Sequence, residues 1–365
     1  MESKLKAIEE VLTHYRYYQN IPGMAVSIVA EQEIVYSRGF GISALDSEYA
    51  TVTPNTIFSI QDVTTNFTAL SLVHLEENTS FKLDIPIVEY LPYFRTKSGA
   101  YDQITTRHIL SHTAGFPENV GVVLLLDEGF RRFAKDMPEY RSLFNRFPNI
   151  EETVANMQTR EDLTRYFANV ELADIPGENW VYAPEAYVIA ADVLEKVSGL
   201  TWEAYVEKYI LTPFGMNRTF INPVFDANEN DVAEYYMKAI DQPISVPMPR
   251  NDLGAPIGFI YSTANDMATY MMKQMKKREN ILSASGWETM HTPAGKRKNG
   301  MGYGLGWSIK QRNGRKVVEH AGRYLGVSSF ITMMPEHEFG IALLCNMDMI
   351  QLGKLADRMM NIWFR

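Results

Sequence analysis

The chain has 365 residues, 46% of them hydrophobic and 22% charged, enough for a large core in one big domain or two intimate ones. A formal net charge of −9 argues against a nucleic-acid partner, because phosphate binding needs a basic face; the short run Lys296-Arg297-Lys298 reads as a solvated loop. Cys345 is the single cysteine, so no intrachain disulfide can form. No run of about 18 apolar residues occurs and Met1 to Lys6 hold no apolar signal core, so the expectation is a cytoplasmic protein without a membrane partner.

Leu5, Ile8, Val11, Leu12 and Tyr15 fall at helical spacing and predict a helix over 4–18, stopped by Ile21-Pro22-Gly23. Met24 to Val29 and Glu33 to Ser37 read as two strands of a hairpin, with Gly39-Phe40-Gly41 leaving the sheet. Phe67, Leu70, Leu72, Val73 and Leu75 mark a second helix that ends at Glu76-Glu77-Asn78. Thr105 is placed to cap a short helix that reaches Gly115. Residues 119–175 are helical and charged in composition, with no catalytic spacing. Tyr182 to Gly199 and Trp202 to Leu211 follow as helices. The stretch 220–255 lacks periodicity and holds Pro223, Pro243, Pro247 and Pro249, with Pro256 just beyond; it reads as a long surface connection. Ser262 to Met267 starts a further helix. Strands are expected from Gly302, at 317–320, 328–333 and 340–346, before a last helix over 351–365.

The stretch that organises the chain is Phe58-Ser59-Ile60-Gln61-Asp62-Val63-Thr64-Thr65-Asn66-Phe67-Thr68-Ala69. It resembles the F-S-I-x-S-x-T-K-x-F-T-A segment of the serine β-lactamases, penicillin-binding proteins and their esterase relatives, in which the serine of S-x-x-K attacks and the lysine activates it. His108 to Gly115 is similar to that family's H-L-L-S-H-T-S-G. Pro176-Gly177 and Tyr182-Ala183-Pro184 stand where it has P-G and Y-x-N. Ser262 to Met267 matches another recurrent segment, and His320-Ala321-Gly322 stands at the K-T-G or H-x-G place. Six pieces in the right order imply an α/β fold of the α+β type, an antiparallel sheet flanked by helices with a helical lobe. The corresponding division is a sheet domain of residues 1–57 and 256–365 and a mainly helical lobe of 58–255, forming one unit with the cleft between them.

Two working side chains of the resemblance are absent: Asp62 replaces the serine and Thr65 the lysine, while Pro184 replaces the asparagine of Y-x-N. The resemblance implies that Tyr182, His320 and Gly322 keep their places. It also implies that the amides of Asp62 and Arg323 form the pair of donors that would hold an oxyanion. The only S-x-x-K, Ser3 to Lys6, lies in the terminal helix; no G-x-S-x-G occurs, and Ser59 matches the family pattern as a structural residue. β-Lactam acylation is therefore not expected.

Asp62 supports two readings. It is an ionised helix N-cap with a low pKa, or it is a desolvated carboxyl that moves a proton or activates water. A carboxylate about 4 Å from a forming oxyanion would repel it by roughly 4 kcal/mol at an effective dielectric near 20, which disfavours ordinary ester hydrolysis. Tyr182 lines the cleft or is a satisfied buried aromatic. His320 partners Asp62 or is a strand-end histidine that hydrogen-bonds across the cleft. Arg323 offers a planar fork to a substrate carboxylate; Glu185 and Tyr324 would stand at the rim, and Thr65, Gly322 and Pro184 would contact the substrate. His108 and His112, four residues apart, are a candidate metal pair without an acidic third ligand. No cofactor fingerprint is present. The reading carried forward is a repurposed enzyme using Asp62, Tyr182 and His320 in non-covalent acid–base chemistry on a small carbonyl-containing metabolite. The alternatives are a pseudoenzyme that binds a small ligand or a protein partner, and a hydrolase with an unrecognised nucleophile.

Overall fold

The computed structural model describes residues 1–46, 50–97, 99–118, 120–225, 231–240, 242–275, 281–296 and 301–365; Arg297 and Lys298 of the basic run lie outside the described residues. Among the described residues the main sheet has eight strands: β1 (Gly23–Ala30), β2 (Glu33–Gly41), β3 (Gly295–Lys296), β4 (Gly302–Tyr303), β5 (Ser308–Arg312), β6 (Arg315–Tyr324), β7 (Val327–Met334) and β8 (Phe339–Cys345). Their order is β2-β1-β8-β7-β6-β5-β4-β3 and every neighbouring pair is antiparallel. The sheet is thus built from both ends of the chain, as the sequence predicted.

Five longer helices matter here: α1 (Glu2–Gln19), α2 (Thr64–Asn78), α3 (Tyr187–Ser198), α4 (Ala264–Met275) and α5 (Leu352–Trp363). All eight residues of β1 are buried, because the pleat sends alternate side chains to two covered faces. Met24, Val26 and Ile28 pack in one layer with Ile8 and Leu12 of α1 and Leu355 and Met359 of α5. Ala25 and Val29 face the other layer, where α2 and α4 meet with Phe67 stacked on Tyr270 at 4.2 Å between ring centroids. Each such buried aliphatic or aromatic side chain stabilises the fold by about 1.5–3 kcal/mol relative to exposure.

Several boundaries differ from the sequence reading. Gly39 to Gly41 stay inside β2. A Cβ on Gly39 would lie 1.9 Å from the Val52 carbonyl oxygen, so glycine lets a crossing chain pass the strand instead of ending it. Helix α3 starts at Tyr187, because Pro184 lies in a preceding 3-10 turn, Pro184–Ala186. The stretch 220–255 is only partly a connection. Phe220–Ile221 joins Phe58–Ser59 and Ile260–Ser262 in a three-stranded sheet. Tyr235–Met237 pairs with Ile244–Val246, and Tyr235 is buried, its hydroxyl accepting the Ser59 N–H at 2.7 Å. The 119–175 region is indeed helical, in short pieces such as Val122–Leu126, Glu128–Ala134 and Arg141–Arg146. Among the described residues no helix is long and apolar enough to cross a membrane.

Candidate functional site

The site forms where the chain enters α2. Residues Gln61–Val63 make one 3-10 turn before that helix, and Gln61 has φ +45°, a left-handed conformation that a residue with a Cβ adopts only under constraint. Its side chain is held by a bond from Nε2 to Ser59 Oγ at 2.8 Å. The kink turns the Asp62 side chain away from α2 and toward β6. Strand β6 comes close because residue 322 is glycine: a Cβ there would lie 2.1 Å from the Ile60 carbonyl oxygen and 2.4 Å from Ser329 Oγ.

Asp62 is not the N-cap of α2. Val63 holds that position without a side-chain cap. The Asp62 carboxylate instead accepts the Arg323 backbone N–H at 2.9 Å on Oδ2 and the Tyr182 hydroxyl at 2.9 Å on Oδ1. Of the two amides that the resemblance assigns to an oxyanion, the Arg323 amide therefore points at the Asp62 carboxylate. That donor is occupied from within, and a carbonyl oxygen can use it only if Asp62 gives up the bond.

Burial raises the Asp62 pKa above its ordinary value; the Arg323 amide, the Tyr182 hydroxyl and its own amide oppose that rise. Burial, reinforced by the Asp62 charge, also keeps Tyr182 protonated far above neutral pH. Tyr182 is positioned from behind by His112, whose ring lies 4.6 Å from it, centroid to centroid. His112 Nδ1 accepts the Ala183 N–H at 3.2 Å, and a φ of +57° turns residue 112 out of the short helix Thr106–Leu110. His108 stays in that helix, its Nδ1 accepting the Thr105 N–H in a capping box. The two histidines thus hold backbone in separate places and do not converge on a common ligand position.

His320 projects from β6 two residues before Gly322. Its Nε2 hydrogen-bonds the Tyr303 hydroxyl at 3.0 Å, two strands away on β4. Thr65 is fully buried, and its hydroxyl donates to the Asp62 carbonyl at 2.7 Å; it faces the protein rather than the cleft. Asp62, Pro184 and Arg323 do line one cleft of about 860 Å³. Its far wall carries Phe130, Tyr140, Phe259 and Tyr324, and of these the sequence had singled out only Tyr324. Nothing in the spacing of the 119–175 region marked Phe130 or Tyr140, because they meet the cleft through tertiary packing of short helices.

Glu185, expected at the rim, lies in the wall. Its two oxygens accept the Gly121 N–H at 2.8 and 2.7 Å, and burial pushes its pKa up to about 7. Among the described residues no group of three or more His, Cys, Asp or Glu side chains is arranged to hold a metal ion.

The Beta-lactamase family model matches residues 8–351. Protein flp of Staphylococcus aureus (strain N315) is 22% identical over 357 residues, covering 96% of this chain and 65% of its own length. Penicillin-binding protein 4* of Bacillus subtilis (strain 168) is 23% identical over 333 residues, 86% of this chain and 66% of its own length. This chain therefore spans about two-thirds of the curated relatives it matches. Among solved structures, the octameric penicillin-binding protein homologue from Pyrococcus abyssi superposes with a TM-score of 0.78 at 26% identity, covering 94% of this chain and 73% of that one. A class C beta-lactamase superposes with a TM-score of 0.78 at 19% identity, covering 98% and 96%, a likeness of fold.

Proposed function

The chain belongs to the β-lactamase family, and we propose that within it this protein is a non-acylating member whose cleft binds a small molecule. The observation that carries the reading is the Asp62 carboxylate bonded to the Arg323 amide at 2.9 Å. Acyl transfer needs a nucleophile, a base and an empty pair of donors. Here the nucleophile and base positions hold Asp62 and Thr65, and one of the two donors is already used. The cleft itself persists with a volume ample for a metabolite.

A second reading, proton transfer by Asp62, has its own support. Burial raises the pKa of this carboxyl, and a carboxylate has about four acceptor positions, of which the Tyr182 and Arg323 bonds use two, one on each oxygen. Oδ1 therefore keeps a lone pair for a bound molecule. In that case Asp62 is the base, Tyr182 steadies the carboxylate, and His320 acts at a distance through Tyr303.

One experiment separates the two. Wild type and Asp62→Asn are incubated with small-molecule extract of the source cells, and all masses are followed over time. The binding reading expects a compound retained unchanged by wild type and with altered affinity in the variant. Consumption by wild type, with retention but no consumption by Asp62→Asn, would replace it with the proton-transfer reading. No compound retained or consumed would sink both.

A further inference from the structure

We infer that the ligand of this cleft is an organic ammonium cation with an apolar body; the inference rests on the small-molecule reading above and names the class of that ligand. Two independent features of the cleft point to it, one of charge and one of ring geometry.

The charge comes from the lining. Asp62, Glu118, Glu139, Glu185 and Asp348 share the lining with Lys238 and Arg323; with Glu185 about half protonated at pH 7, carboxyl groups still outnumber cations. Lys238 is also partly drawn off, its Nζ donating to Gln19 Oε1 at 2.8 Å. A recessed cleft with an excess of one sign of charge and apolar walls focuses that field on whatever enters. The exchange at the heart of the site pushes the same way. Where the family pattern has a neutral serine and a cationic lysine, this chain has a carboxylic acid and a neutral threonine. An anionic ligand loses its cation there and meets an acid instead.

The rings form one continuous wall. Phe130 meets Tyr140 edge-on at 5.1 Å between centroids, Tyr324 at 5.7 Å, and Tyr324 meets Phe259 at 5.9 Å. Ring faces attract cations through the quadrupole. Tyr324 is the strongest member, because its hydroxyl donates to the Asp127 carboxylate at 2.9 Å, which pushes electron density into the ring. An acid at the inner end and an aromatic wall along the side are the two elements that recognise a substituted ammonium group. The open lone pair of Asp62 Oδ1 takes its N–H or its positive charge; the rings take its methylene shell.

Calorimetry of the intact chain at pH 7 with 2-phenylethylamine, 2-phenylethanol and 3-phenylpropionate tests this directly, since the three are matched in size and differ in charge. The amine is expected to bind at least about tenfold more tightly than the alcohol, a ratio typical of a desolvated cation–π contact backed by a carboxylate, with the carboxylate weakest. In Asp62→Asn the amine and the alcohol should approach equal affinity. Phe130→Leu, which keeps apolar volume but removes a ring, should weaken the amine more than the alcohol. Melting curves of both variants verify that they are folded. Equal binding of amine and alcohol in wild type, tighter binding of the carboxylate, an amine preference untouched by Asp62→Asn, or no binding of any of the three at millimolar concentration would each overturn the inference. The binding reading has a separate fate: it survives if the extract yields a retained, unchanged compound that is neutral or acidic, and falls if nothing is retained or if wild type consumes what Asp62→Asn only retains.

Discussion

Two aspartates of this molecule, Asp127 buried and Asp62 partly buried, have almost the same partners and different jobs. Asp62 accepts a tyrosine hydroxyl at 2.9 Å and a backbone amide at 2.9 Å. Asp127 accepts the Tyr324 hydroxyl at 2.9 Å and the amides of Phe130 and Arg250 at 3.0 and 3.1 Å. Burial raises the pKa of both. Asp127, however, caps the helix Glu128–Ala134 and ties it to the Pro249–Arg250 chain and to β6. Asp62 caps nothing and opens on the cleft. The partners of a buried carboxylate report how it is held; only its place relative to the cavity reports what it is for.

The comparison breaks most visibly if its supports are removed. Gly322→Ala should be the most damaging change, because its Cβ would lie 2.1 Å from the Ile60 carbonyl oxygen and β6 could no longer reach Asp62. A loss of about 3 kcal/mol or more is expected from such overpacking, read from denaturant midpoints. Asp127→Ala comes next. It leaves a tyrosine hydroxyl and two amides without their acceptor and removes a helix cap, for an expected loss of about 2–3 kcal/mol. If Asp127→Ala proved neutral, the structural role assigned to it would be wrong.

How much of this was legible in the sequence follows the same division. The order of sheet and helices was readable, because the apolar run of β1 and the Leu5–Tyr15 stripe of α1 are local patterns. The family frame around Asp62 was readable because it is a contiguous string. What Asp62 does was not. The bland expectation of an N-cap rested on its position before α2, and a φ of +45° at Gln61 redirected it. For His320 the sequence left two readings open, and the Tyr303 bond was not among its cues, since Tyr303 reaches it across the pairing of β4, β5 and β6. The aromatic wall stayed hidden for a related reason. Phe130, Tyr140, Phe259 and Tyr324 are far apart in the chain, and no repeat or spacing connects them.

Asp62→Asn sharpens the comparison with a smaller effect of opposite sign. The folded-state pKa of Asp62 lies above its ordinary value, so ionisation works against folding at neutral pH. An asparagine oxygen can still accept the Arg323 amide, and its NH₂ can donate to the Tyr182 oxygen. The variant should melt higher than wild type, by the equivalent of about 1 kcal/mol, while its ligand behaviour changes. A lower melting temperature would mean that Asp62, like Asp127, is a structural tie.

Glu185 gives the subtlest test, because its folded pKa of about 7 stands well above the ordinary carboxyl range. The sign follows from which state binds the proton. The unfolded chain has released it by pH 6, whereas the folded chain still holds most of it there and has lost most of it at pH 8. Protonation therefore favours the folded state. Its contribution is complete below about pH 4.3, the unfolded carboxyl value, and is lost as pH rises through 7. Between pH 6 and pH 8 the contribution of this group alone should fall by about 1 kcal/mol. Exchange of the Gly121 amide, held by both Glu185 oxygens, should quicken over the same window beyond the ordinary base-catalysed increase, and Glu185→Gln should remove that excess. Asp62→Asn should leave it in place, since Asp62 does not bond the Gly121 amide that Glu185 holds. An excess that disappeared in Asp62→Asn instead would mean that the two acids of the cleft titrate as one unit, and the distinction between a carboxyl that holds the wall and a carboxyl that meets the ligand would not stand.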